Sequence, residues 1–153
     1  MCIGYYSEGW YIVNTFLLSP NIQLMEPVRF IIDTASETTI LSPSDAIRIG
    51  LDFRSLVRNP NPTIGVGGRT HTLILNNVGI AFPLITRGRR KRAHIEHLDK
   101  IEVGNHNWTL PSLLGHDVLN RFNFHTSQKH GTIGLTRIKT APGDYSIFCY
   151  TLS

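Results

Sequence analysis

Cysteine is nearly missing from this 153-residue chain: only Cys2 and Cys149 occur, near opposite ends. Two distant thiols offer neither a disulfide framework nor a cysteine zinc site, and they fit a reducing, cytoplasmic setting. Charge is sparse too, at 17% of residues against 41% hydrophobic, which excludes a charge-rich disordered tail and fits one folded domain over residues 1–153. Long apolar runs are absent. Residues 9–19 are broken by Asn14, end at Pro20 and have no basic segment ahead of them, so neither a membrane span of roughly 20 residues nor an ordinary secretion signal is expected. No internal repeat or low-complexity linker divides the chain. The net charge of +4 has a local source, because Arg87, Arg89, Arg90, Lys91 and Arg92 supply five of the 15 basic residues. That run reads as a solvated loop. It lacks the interleaved aromatics and broad basic face of a nucleic-acid binder, which disfavours nucleic acid as a partner.

What the chain has in plenty is turn punctuation. Ser19-Pro20-Asn21, Asn59-Pro60-Asn61-Pro62, Gly67-Gly68, Asn76-Asn77, Gly104-Asn105 and Pro142-Gly143 separate short runs rich in β-branched and aromatic residues. The expected class is all-β, with strands at 10–18, 28–32, 70–75, 78–83, 100–103, 122–126, 132–135 and 147–152. Two short helices are expected beside them. Ser42-Pro43-Ser44-Asp45 sets a hydroxyl at the cap, proline at the first helical position and an acid three residues on, and Gly50 ends the turn. In 116–122, Val118, Leu119 and Phe122 stand at helical spacing.

The chemistry concentrates at one junction. The apolar run Val28-Arg29-Phe30-Ile31-Ile32 leads into Asp33-Thr34-Ala35-Ser36, which puts a carboxylate at the end of a hydrophobic strand. Such an acid needs backbone or hydroxyl donors, or a partner that shares its proton. Taken alone, Asp33 also fits a structural acid capping a turn, and Ile64-Gly65-Val66-Gly67-Gly68 fits a hairpin turn. No Lys-Ser/Thr or helix start follows those glycines, so they do not read as a phosphate cradle. His94, His97 and His106 have helix-surface spacing and no nearby thiolate, so no metal site is expected. Asn107-Trp108-Thr109 matches a glycosylation acceptor but reads as a strand entry.

Asp33-Thr34-Ala35-Ser36, the glycine-rich segment 64–68 and Leu113-Leu114-Gly115-His116-Asp117-Val118-Leu119 stand in the order found in the retropepsin family of aspartic proteases, which the chain resembles over roughly residues 10–135. Residues 121–126 and 131–135 resemble the last hairpin of the relatives found in DNA-damage-inducible ubiquitin-shuttle proteins and in bacteria. The resemblance implies a single-lobe acid protease protomer, active as a two-fold homodimer on a peptide or protein substrate, without metal or cofactor. It implies catalytic roles for Asp33, Thr34 and Ser36, with Thr34 bonding across the dimer and Ser36 donating to Asp33. It further implies a substrate-binding surface from Ala35, Gly65, Val66, Gly67, Gly68, Leu110 and Leu113, with 64–68 as a flap. Asp-Thr occurs once in the chain, so a dyad requires two copies.

The departures from the family pattern are specific. Ala35 replaces the usual glycine, which makes a catalytically weak dimerisation or peptide-binding module the alternative reading. Glu37 and His116 stand where an acid–arginine pair is usual, so an ion pair formed there would be pH-dependent. Residues 87–108 read as an insertion, 136–153 as a C-terminal extension, and the last residues as part of a dimer sheet.

Overall fold

A computed structural model describes residues 1–65, 68–88 and 90–151. In chain order the elements are β1 (Cys2–Ser7), β2 (Trp10–Leu18), β3 (Pro27–Ile32), β4 (Ile40–Leu41), α1 (Pro43–Arg48), a 3-10 turn (Phe53–Ser55), β5 (Val57–Arg58), β6 (Thr63–Gly65), β7 (Gly68–Thr70), β8 (Thr72–Leu84), β9 (Arg90–Gly104), β10 (Leu113–Leu114), α2 (His116–Leu119), β11 (Phe122–Ser127), β12 (Thr132–Arg137) and β13 (Tyr145–Thr151). The protein is mostly β. Its main sheet runs β11-β12-β1-β2-β3-β10-β4-β9-β8-β5, and a further pairing of β2 with β8 joins β2, β3, β10, β4, β9 and β8 into a closed circuit. Closure gives each of those strands at least two partners. Val13, Phe30, Leu41, Leu75, Ile80, Val103 and Leu114 belong to the core that these strands build.

The helices arise as their sequences imply. Ser42 caps α1 by accepting from the Asp45 N–H, with Pro43 at the first turn, and Ala46 faces the core. In α2, Val118 and Leu119 are buried, but the helix ends at Leu119 because Phe122 opens β11 and pairs with Arg137.

Two expectations about strands change. Residues 72–75 and 78–83 are parts of one strand, β8, in which Asn77 takes a left-handed φ of 53°, while Thr70 ends β7. Asparagine tolerates that conformation, so the Asn76-Asn77 signal interrupts the ladder without ending it. The second change is larger. β9 spans 15 residues where four were expected, and Arg90, Lys91 and Arg92 are strand rather than loop. Pairing with β13, and for Arg92 also with β8, satisfies their backbone, while long basic side chains can reach water from a strand. Arg89 lies outside the described residues.

The C-terminal residues form β13 on this chain's own β9, with Tyr145 opposite Glu96 and Phe148 opposite Ala93. One edge of β13 is therefore taken up within the chain itself. A buried charge cluster holds this arrangement. Glu96 is fully buried and accepts from Arg121 Nη1 at 2.7 Å, Arg137 Nε at 2.7 Å and His94 Nε2. Arg137 also donates to the Ile138 and Gly143 carbonyls and lies 4.1 Å from the Tyr145 ring centre. Burial pushes the Glu96 carboxyl up, but hydrogen bonds from His94, Arg121 and Arg137 outweigh it and hold the acid below its ordinary 4.5. A depressed native value means that this stabilisation is present above the unfolded pKa and lost as pH falls through the folded one. Glu96→Ala leaves two arginines without their acid. It is expected to cost about 3–5 kcal/mol in urea unfolding at neutral pH and to flatten the acid limb of the stability profile; a cost near zero would show that the cluster does not hold β13.

Candidate active site

Asp33 follows β3 directly, and its position is set by the strand beside it. β10 runs parallel to β3, with Leu113 opposite Ile31 and Leu114 opposite Ile32. The Ile31 N–H donates to the Ser112 carbonyl at 2.9 Å, and the Asp33 N–H donates to that of Leu114 at 3.1 Å. The carboxyl is half-buried and accepts from the Ala35 N–H at 2.9 Å through Oδ1. No other donor reaches it among the described residues. One fixed oxygen and one available oxygen suit a group that must exchange a proton with water or with a second carboxyl.

The loop after Asp33 is braced from the C-terminal side. The N–H groups of His116 and Asp117 donate to the carbonyls of Ser36 and Glu37, at 2.9 and 3.1 Å. Gly115 makes this approach possible, since a Cβ there would overlap the Thr38 carbonyl. Asp117 accepts from the Thr39 N–H at 2.9 Å and from the Thr39 hydroxyl at 2.7 Å. Thr39 Oγ1 accepts in turn from the Gly115 N–H. On the next turn of chain, Ser112 Oγ donates to Asp45 and accepts from the Ser42 N–H, tying β10 to α1.

Several site residues take partners other than those expected. Ser36 Oγ donates to the Thr38 carbonyl at 2.8 Å instead of to Asp33, so it shapes the loop rather than the acid's charge. Thr34 is exposed, with its carbonyl engaged by His116 Nε2 at 2.6 Å. Because a carbonyl can only accept, Nε2 carries the proton, and this contact persists in either charge state of the ring. His116 thus does not pair with Glu37, and the pH-dependent ion pair is absent. Ala35 is exposed and is not among the residues with positive φ, so its Cβ meets no left-handed strain.

Leu113 lies on β10 beside Ile31, while Leu110 is exposed on the segment leading into that strand. Gly65 and Gly68 pair across the β6–β7 hairpin, which carries a largely exposed Ile64; Val66 and Gly67 lie outside the described residues. His94 and His97 sit on a strand, not a helix, where three-residue spacing turns them to opposite faces: His94 joins Glu96 and His97 bonds Ser146. No cluster of three His, Cys, Asp or Glu that could hold a metal occurs among the described residues. Two surface cavities, of about 430 and 560 Å³, include none of residues 33–39. The braces Asp117, Thr39 and Ser112 carry no chemistry-bearing sequence signal, because each matters only through a neighbour some 70 to 80 residues away.

A mostly-β protomer with one Asp-Thr loop braced by a Gly-led helix defines the retropepsin-like fold, and the chain has that fold. It is similar to the crystal structure of a retropepsin-like aspartic protease from Rickettsia conorii, at 18% identity and a TM-score of 0.59, covering 97% of this chain and 92% of that one. EIAV protease, solved with the inhibitor HBY-793, aligns at 21% identity and a TM-score of 0.50 over 76% of this chain and 90% of that one. No family model and no curated protein matches the sequence.

Asp117 behaves oppositely to Glu96. Burial raises its carboxyl above the ordinary 3.8, and the hydrogen bonds from Thr39 and Val118 only partly offset this. A raised native value means that the folded state holds the proton longer, so this group's contribution to stability falls as pH rises from 3.8 through the folded value. Asp117→Asn, which keeps an acceptor for the Thr39 N–H, should remove that decline and change stability at neutral pH by less than about 1 kcal/mol, whereas Asp117→Ala should cost about 1–3 kcal/mol. Melting curves of the three proteins from pH 4 to 7 decide it; parallel profiles for wild type and Asp117→Asn would refute the assignment.

Proposed function

We propose that the protein is an aspartic endopeptidase that acts as a homodimer, with one Asp33 from each protomer facing its counterpart on a two-fold axis. The observation that carries this reading is the half-buried Asp33 at the end of β3, fixed by the Leu114 carbonyl and the Ala35 N–H and left with one unengaged oxygen. The retropepsin-like fold supports it, and the single Asp-Thr in the chain makes the second copy a requirement.

Two carboxyls at close range cannot both ionise cheaply and share one proton. The ionised member takes a proton from water as its oxygen attacks the scissile carbonyl carbon, while the protonated member hydrogen-bonds the carbonyl oxygen. Transfer of a proton to the amide nitrogen then lets the C–N bond break, releasing an acid and an amine. Water and the two side chains suffice for this chemistry. Thr34 is the candidate for bonding across the axis, and Ser36 holds the loop. An extended peptide would pair with the backbone near Ala35 and lie beneath the β6–β7 hairpins acting as flaps, its side chains against Leu110 and Leu113.

Asp33→Asn is expected to abolish cleavage of a mixed peptide library while the protein remains folded. Excess Asp33→Asn added to wild type should poison activity through mixed dimers, and activity per protomer should fall on dilution. Full activity in a homogeneous Asp33→Asn preparation, or in a demonstrable monomer, would overturn the mechanism.

Ala35→Gly tests the alternative of a silent peptide-binding module. With no backbone strain to relieve, the substitution removes only a methyl near the substrate path and should maintain or raise kcat/KM, at an entropic stability cost of about 0.4–1 kcal/mol. Peptide binding without turnover in both wild type and Ala35→Gly would favour the alternative.

A further inference from the structure

β9 carries a second buried acid whose compensation differs from that of Glu96. Glu102 is 8% exposed between the core residues Ile101 and Val103, and no basic side chain lies within ion-pair distance of it among the described residues. Hydroxyls alone meet its charge. Thr38 Oγ1 donates to Oε1 at 2.8 Å, while Thr63 and Thr72 donate to Oε2 at 2.5 and 2.6 Å. Asn59 Nδ2 donates to Thr72 Oγ1 at 3.1 Å, which leaves the threonine's own proton for the carboxylate. The Glu102 N–H completes the set by donating to the Thr39 carbonyl at 3.0 Å.

The three threonines come from three places in the chain. Thr38 belongs to the loop that begins at Asp33, Thr63 opens β6, and Thr72 opens β8 just after β7. Both roots of the β6–β7 hairpin therefore meet the Asp33 loop on one carboxylate. The hairpin forms its own two-stranded sheet, outside the ladder of the main sheet; Asn105 holds its β7 end through the His71 carbonyl, and Glu102 links both its roots to the Asp33 loop. An apolar residue could fill this position between Ile101 and Val103 without desolvating a charge. A carboxylate does what an apolar side chain cannot, since it accepts from several directions at once and ties separate segments together.

We propose that Glu102 is a positioning residue that fixes the β6–β7 hairpin relative to the Asp33 loop, and so sets the gap into which a substrate enters. The part concerning substrate rests on the reading of that hairpin as a flap; the mechanical coupling does not.

Hydrogen exchange on the full chain tests the coupling without need of activity. Thr38→Val cuts one link on the loop side, yet it should speed exchange in residues 63–65 and 68–70 about tenfold, the scale of one lost hydrogen bond to a charged group. Exchange in β11 and β12 should stay unchanged. Glu102→Leu should reproduce the effect. Glu102→Gln should restore most of the protection, because its carbonyl can still accept from Thr63 and Thr72 while its amide donates to Thr38. If Glu102→Leu does not fold, Thr38→Val and Thr63→Val carry the test. On a cleaved peptide, Thr38→Val should raise KM more than it lowers kcat. Hairpin exchange that ignores Thr38→Val would overturn the inference and leave Glu102 a stability residue. Hairpin exchange that follows Thr38→Val in a protein with no peptidase activity would reject the proposed chemistry and sustain the coupling.

Discussion

The parallel pairing of β10 with β3 is the constraint on which the rest of the site depends. It uses the Leu114 carbonyl to seat the Asp33 N–H, and so fixes where a hydrophobic strand ends and a carboxylate begins. Because β10 continues straight into Gly115 and α2, the same pairing brings the His116 and Asp117 N–H groups against the loop that follows Asp33. Loss of register here would displace the acid and its brace together. Parallel strands need a long connection, and the 80 residues between Ile32 and Leu113 supply it while building most of the closed circuit.

Three acids secure the structure, two buried and one half-buried, each by a different compensation. Glu96 is matched by arginines and fastens the C-terminal strand; Asp117 is met by one threonine and backbone N–H groups and fastens the Asp33 loop; Glu102 is met only by hydroxyls. The choice of partner sets the sign of the pH response. Charged donors outweigh desolvation at Glu96, whereas neutral donors at Asp117 do not, so acid weakens one anchor and relieves the other.

Local signals were legible where one segment decides its own conformation. The Ser42-Pro43-Ser44-Asp45 cap, the apolar strand before Asp33 and the glycine ahead of α2 each act within a few residues, and each stands where its chemistry requires. The misreadings share one cause. Asn76-Asn77 and residues 90–92 carry turn and solvent signals, but β8 and β9 pair along 12 positions and β13 pairs with Arg90, Lys91 and Arg92, and these ladders override local preference. His94 and His97 likewise stand at a spacing that fits a helix, where pairing imposes a strand.

The sequence by itself determined the class of fold, the end of β3 as the place for a carboxylate and the presence of only one Asp-Thr, because alternation, capping and a unique Asp-Thr are properties of short segments. Only the tertiary structure decided that Ser36 serves the loop instead of Asp33, that His116 holds the Thr34 carbonyl, that β13 returns to its own β9, and that Glu102 gathers Thr38, Thr63 and Thr72. Each of these depends on which donor lies nearest to a given acceptor once distant strands are in register. That proximity is set by the packing of the whole sheet, and no single segment encodes it.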